Sequence, residues 1–253
     1  MNNINYSRYE QHIELPKVGL EGQEKIHSAR VLIVGSGGLG NPVALYLTAS
    51  GIGKIGIIDA DRVEESNLQR QILFSNEDVT HTKVSVAKSK LDLMASNQKI
   101  VAYPYFLDKK NAASIIGDYD LVIDATDNHI ARLIINKVCL TQKKPWIYGS
   151  VYHFEGQVMT FNNEEDSPCF TCVFSDINED STLPTCKSAG ILSPVPGIVG
   201  CMQANEALKI ILNLNSGNKH MHELCLIDFL NNDFKKINIL KNTLCNTCGM
   251  NEA

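Results

Sequence analysis

Residues 31–74 read VLIVGSGGLGNPVALYLTASGIGKIGIIDADRVEESNLQRQILF. The opening VLIVG is a short β-branched run of the kind that forms a buried strand, and an apolar stretch of helical character follows as far as Leu47. Between them, Gly35-Ser36-Gly37-Gly38-Leu39-Gly40 has the glycine spacing of a phosphate- or dinucleotide-binding turn. Gly35 permits the tight turn. Gly37, with Gly38 beside it, lets the backbone approach a phosphate, and Gly40 lets the helix pack closely on the strand, with anion-attracting amides at its N-terminus. The next strand, KIGIID, ends on Asp59, whose carboxylate can accept hydrogen bonds from ribose hydroxyls.

Such a turn alone fits a nicotinamide or flavin enzyme, but the residues after Asp59 point elsewhere. Asp61, Asn67, Gln69, Arg70 and Gln71 crowd just beyond the strand, where a plain dinucleotide site needs one acidic group. Arg70 offers a planar five-donor fork suited to phosphate, and Lys83 adds a compact positive charge. The alternative for both is a solvated face. A further strand, Tyr119 to Asp124, runs into Ala125-Thr126-Asp127-Asn128. Strand C-termini line the ligand crevice of a parallel sheet, so Asp127 is expected to reach the same phosphates through a magnesium ion, or else to cap the helix that starts near residue 128.

The eight cysteines divide by spacing. Cys169-x-x-Cys172 and Cys245-x-x-Cys248 have metal-ligand spacing and suit a closed tetrahedral zinc site; two unrelated thiol pairs or a disulfide framework are the alternatives. Cys186 stands alone beside Lys187, which favours a thiolate. Cys139, Cys201 and Cys225 sit in apolar patterns and are expected in the core. His220 and His222, flanking Met221, read as an exposed turn, and Trp146 as a core or interface residue.

With 253 residues and 44% hydrophobic content the chain can bury a large core, and its formal charge of −5 with dispersed lysines argues against a nucleic-acid surface. The sequence carries no apolar N-terminal signal, and prolines, glycines, Glu206 and Lys209 interrupt residues 190–212, so no membrane span is expected and a cytoplasmic enzyme is inferred. Residues 1–29 read as a helical N-terminal arm broken at Gly19 and Gly22, and residues 30–150 as alternating strands and helices of a doubly wound, mainly parallel α/β sheet. Residues 151–253 read as a zinc-binding region continuous with it; the strand entering that region spans 149–161, followed by a long loop over 162–196 and a helix over 197–213. Residues 222–229 and 234–240 read as antiparallel strands of a second sheet.

Taken as a set, RYEQ, GSGGLG, DADRVEESNLQRQ, DATDN, the paired CxxC motifs and TCKSAG resemble the bacterial ThiF, MoeB and HesA adenylyltransferases, prokaryotic relatives of ubiquitin-activating enzymes, over residues 8–248. The resemblance implies a Rossmann-like fold with a C-terminal antiparallel extension and a structural zinc on the four cysteines. It implies joining of AMP from ATP to the C-terminal carboxylate of a ubiquitin-like sulfur-carrier protein ending in Gly-Gly. Gly37, Gly38 and Gly40 would then serve the nucleotide phosphates and Asp59 the ribose, while Asp61, Asn67, Arg70, Gln71, Lys83 and Asn128 surround the nucleotide and Asp127 binds magnesium. Residues 151–253 would then form the carrier-binding, crossover-loop and zinc-binding region, in which the second sheet would receive the carrier and the 173–190 loop would cover its tail. Cys186 would lie on that crossover loop and handle sulfur, with a cysteine desulfurase or sulfurtransferase as donor.

In relatives the N-terminal motif reads Arg-Tyr-x-Arg, and its second arginine reaches the ATP of the partner in a homodimer. Here Gln11 stands at that position, so the contact is weakened or passed to another group such as Arg8 or Lys17. The run Ser66 to Phe74 favours the thiamin branch, with a molybdopterin-synthase activator as runner-up. An NAD oxidoreductase would need no Arg70, Lys83 and Asp127 cluster, and a binding-only relative is the reading that Gln11 keeps open.

Overall fold

The computed structural model describes residues 6–175, 190–214 and 222–249. Strands β1 (Arg30–Val34), β2 (Lys54–Ile58), β3 (Lys99–Tyr103), β4 (Leu121–Asp124) and β5 (Trp146–Tyr152) are parallel in the order β3-β2-β1-β4-β5. Antiparallel β6 (Glu155–Phe161), β7 (Glu223–Asp228) and β8 (Asp233–Asn238) continue the same sheet. The expectation of a separate second sheet is therefore corrected. The β5–β6 hairpin reverses the chain within the sheet, so the C-terminal strands extend its hydrogen-bonded edge.

Both faces of the parallel part are covered, which explains why VLIV shows no polar alternation. Val31 and Ile33 pack with Val43 and Leu47 of α3 (Gly40–Ser50), with Val84 and Leu91 of α4 (Lys83–Met94), and with Val199, Ala204 and Ala207 of the helix Pro194–Ile211. Leu32 and Val34 face the other way. They meet Ile115 and Ile116 of α5 (Ala112–Gly117), Ile134, Ile135 and Cys139 of α6 (His129–Thr141), and an aromatic group in which Trp146 stacks on Phe161 at 4.6 Å. Cys139 is buried as expected, whereas Cys201 and Cys225 are only partly so.

The arm holds α1 (Glu10–Ile13) and α2 (Gly19–Ser28). Gly19 opens α2 with φ +58°, but Gly22 is no break. It is buried inside α2, where an added Cβ would approach Val18 and Leu212 to 2.9 Å. Tyr9 anchors the arm: it is buried against Gly51, and its hydroxyl accepts a bond from Gln98 Nε2 at 3.0 Å.

Two boundaries differ from the sequence reading. Cys169 precedes a one-turn helix, α7 (Phe170–Val173), inside what reads as loop. The long helix, α8, begins at Pro194, because proline is favoured in a first helical turn, where its missing N–H costs nothing. Among the described residues no helix is long and apolar enough to cross a membrane.

Candidate nucleotide cleft and cysteine cluster

The C-terminal ends of β1, β2 and β4 open into a cleft of about 970 Å³. At its floor, Gly35 takes φ +99° and passes so near β4 that a Cβ would lie 2.6 Å from the Ala125 carbonyl. Gly37 lines the cleft without crowding, the nearest neighbour to an added Cβ being Gln71 Nε2 at 3.8 Å. Gly38 admits Pro196 of α8 and the stem of Arg70, at 3.0 and 3.5 Å from such a Cβ. Gly40 behaves differently. It is buried outside the cleft lining, where any side chain would collide with the Gly35 carbonyl, so its part is to seat α3 on the turn.

Asp59 lies just past β2. Its carboxylate accepts the Ser36 N–H at 2.7 Å and the Asp61 N–H at 2.8 Å, which ties the glycine turn to the second strand. Burial pushes this carboxyl up from its ordinary range, while the nearby Lys83 charge and the two amide bonds pull it down. Lys83 begins α4 and is only 5% exposed; its Nζ meets Asp61 Oδ2 at 2.9 Å. Both Lys83 and its partner Asp61 line the cleft.

Arg70 follows the short turn Glu65–Asn67, and its Nη1 donates to the Ser66 carbonyl at 3.1 Å. Asn67 and Gln71 bond to each other through their amides at 2.7 Å, and both are buried at the cleft edge. Opposite them, Asp127 is exposed on the cleft and carries no side-chain hydrogen bond among the described residues. The expected capping role falls to its neighbour. Asn128 Oδ1 accepts the Ile130 and Ala131 N–H groups, at 2.9 and 3.4 Å. With the cap supplied by Asn128, the Asp127 carboxylate is left to the cleft, where its hard oxygens suit a magnesium ion.

Gln11 is exposed on α1 and is absent from the lining of its own chain's cleft. Arg8, a candidate to replace it, donates to the Met94 carbonyl at 2.6 Å and so serves to hold the arm. Cys186, with the rest of 176–189, and His220 lie outside the described residues.

Sequence reasoning missed the group beneath Asp127. Arg132 of α6 is buried against Asp124, with Nε at 3.0 Å from Oδ2, and its guanidinium lies 5.0 Å from the Tyr148 ring centre. Burial pushes the Asp124 carboxyl up, against the pull of Arg132 and two bonds from Thr126. Gln203 of α8, fully buried, donates to the Asp124 carbonyl at 2.6 Å. An ionic pair eight residues apart across a turn leaves no periodic signal in sequence.

Away from the cleft, the four paired cysteines converge. Their sulfurs all lie within 4.8 Å of one another, with Cys169–Cys172 at 3.9 Å, Cys169–Cys245 at 3.7 Å and Cys172–Cys248 at 3.4 Å. A disulfide needs about 2.05 Å, so the disulfide alternative is set aside. A tetrahedron of sulfurs around zinc at about 2.3 Å has edges of about 3.8 Å, so this donor set fits that ion. Thr171 also donates to Thr247 at 2.9 Å, and Asn136 of α6 accepts the Phe170 N–H at 3.0 Å, joining the cluster to the main body.

A parallel sheet that gathers these groups around a glycine turn forms a cleft of the nucleotide-binding class. The chain belongs to the ThiF family, whose model matches residues 9–247. A Thermus thermophilus protein named sulfur carrier protein adenylyltransferase is 40% identical over 246 residues, covering 96% of this chain and 90% of the relative. A Haloferax volcanii protein named SAMP-activating enzyme E1 is 37% identical, covering 96% and 88%. A probable molybdopterin-synthase adenylyltransferase of Porphyra purpurea is 45% identical over 83% of this chain, which spans 55% of that longer relative. Among solved structures, E. coli MccB with MccA-N7isoASN superposes with a TM-score of 0.80 at 23% identity, over 98% of this chain and 76% of that one, a likeness of fold.

Proposed function

We propose that this protein adenylates the C-terminal Gly-Gly carboxylate of a ubiquitin-like sulfur carrier, releasing pyrophosphate, and that it serves thiazole formation in thiamin biosynthesis. The observation that carries the reading is the meeting of Gly37, Asp59, Arg70, Lys83 and Asp127 on one cleft. Asp59 accepts the ribose hydroxyls, and the glycine-turn amides approach the phosphates. The carrier carboxylate is ionised at neutral pH and attacks the α-phosphorus with no general base. Negative charge grows on phosphoryl oxygens during that step, and the fixed cations Arg70 and Lys83 stabilise it. Magnesium held by Asp127 would supply further charge neutralisation. Zinc on the four cysteines would be structural.

A molybdopterin-synthase activator is the second reading, favoured by the relative from Porphyra purpurea. The test is magnesium-dependent pyrophosphate release with thiamin-type and molybdopterin-type carriers, each beside a tail-truncated control. Release that needs one intact Gly-Gly tail assigns the pathway. ATP binding without release from any carrier would defeat the adenylation reading.

The enzyme acts as a homodimer in this proposal, with residue 11 facing the partner's triphosphate. Gln11→Arg, which restores a charge at an exposed position, is then expected to raise the adenylation rate at subsaturating ATP by about 2- to 5-fold, the scale of one surface-accessible charge contact. An unchanged or lower rate would count against the trans contact.

A further inference from the structure

Pairing between β4 and β5 ends at Asp124 and Tyr148. Beyond that point the chains part: residues 125–128 turn into α6, while β5 continues against β6. Backbone carbonyls at such a divergence lose their ladder partners. The Arg132 guanidinium takes two of them, Nη2 donating to Thr126 O at 2.7 Å and to Gly149 O at 3.3 Å, while Nε holds Asp124. Gly149 lacks a side chain for a local reason, since a Cβ would run into the Gln203 amide that secures the Asp124 carbonyl from below.

Stability gives no account of these charges. Two well-packed apolar side chains would join β4 to α6 at least as well as a buried ion pair. What arginine adds is a set of fixed donor directions that an apolar pair or a lysine lacks. Those directions end at the two walls of the cleft: on the Thr126–Asp127 turn, which lines it, and on Gly149, between the lining residues Tyr148 and Ser150 to Tyr152. The first wall carries the carboxylate assigned to magnesium, and the second pairs with β6 at Gln157, another lining residue.

We infer that Arg132 is a positioning residue for adenylyl transfer, setting the place of Asp127 and the separation of the two walls where carrier carboxylate and α-phosphate meet. The inference rests on the adenylation reading above. Arg132 acts through the Thr126 and Gly149 carbonyls and through Asp124, and its effect is on geometry. A misplacement of about 1 Å in such a site costs about 10²-fold in rate.

The test is Arg132→Lys, which keeps the charge beside Asp124 and loses the fork. Amide hydrogen exchange of the carrier-free protein is measured first. Exchange is expected to rise at least tenfold in 125–128 and 149–151 and to stay unchanged in β1 and β2. In pyrophosphate release, kcat is expected to fall about 100-fold, with the KM for the carrier and the magnesium-free ATP affinity within threefold of the parent. Unchanged exchange at the two walls, uniform acceleration throughout the sheet, or a kcat loss no larger than the loss of folded protein would overturn the inference. Should Arg132→Lys fail to fold, the double substitution Asp124→Leu with Arg132→Met replaces the ion pair by apolar packing and is read in the same way; full kcat in that variant would overturn the inference. Failure of the parent protein to release pyrophosphate with any carrier, with ATP binding intact, defeats the adenylation reading and leaves the exchange result to speak for the wall-positioning alone.

Discussion

Asp127→Asn is expected to lower carrier-dependent pyrophosphate release by about 10²- to 10³-fold, the usual cost of losing one group that stabilises transition-state charge. Asparagine preserves the size of the side chain but removes the charge and one of its two hard oxygens, which weakens any magnesium contact. The fold is expected to tolerate the change. Asp127 is exposed and Asn128 caps α6, so the unfolding free energy should move by less than about 0.5 kcal/mol. Steady-state kinetics at varied magnesium, beside thermal unfolding, check both statements. A full rate in the variant, or a rate loss explained by lost folded protein, would remove Asp127 from the proposed chemistry.

Loss of the metal is the second large effect. The purified protein is expected to hold one zinc per chain, and Cys172→Ser or Cys248→Ser to release it. For a metal present at 100 to 1,000 times its dissociation constant, the lost stabilisation is about 3–4 kcal/mol, or roughly 10 °C in Tm for a chain of this size. The cluster ties Cys245 and Cys248, near the chain's end, to α7 and through Asn136 to α6. The preceding strand, β8, is exposed along its whole length and contributes little burial of its own. A strong chelator should lower the parent's Tm to that of the serine variants and leave those variants unmoved. Elemental analysis without zinc, or equal Tm values before and after chelation, would contradict the structural-metal reading.

Much of the site is legible from sequence because its parts are local. Gly35, Gly37 and Gly40 follow one strand and open one helix, Asp59 closes the next strand, and Asp127 follows a third. In a parallel sheet, residues at strand C-termini necessarily share one edge, so separated motifs predict a common cleft. The cysteine spacing announces a metal-type site for a similar reason: each CxxC places two sulfurs close together whatever the rest of the fold does.

What sequence could not supply depends on contacts between distant segments. Whether 222–229 and 234–240 make a second sheet or extend the first is decided by the pairing of β6 with β7, a long-range register absent from either segment's own pattern. Arg132 reads in sequence as an ordinary helix residue, and only the parting of β4 from β5 gives its guanidinium carbonyls to hold. The sequence by itself determined the parallel nucleotide-type sheet and its local motifs, because strand, turn and helix signals act within a few residues. Tertiary structure decided the continuous eight-stranded sheet of the described residues, the closure of the cysteine cluster and the arginine between the cleft walls, because each is a contact between segments that meet only when the chain is folded.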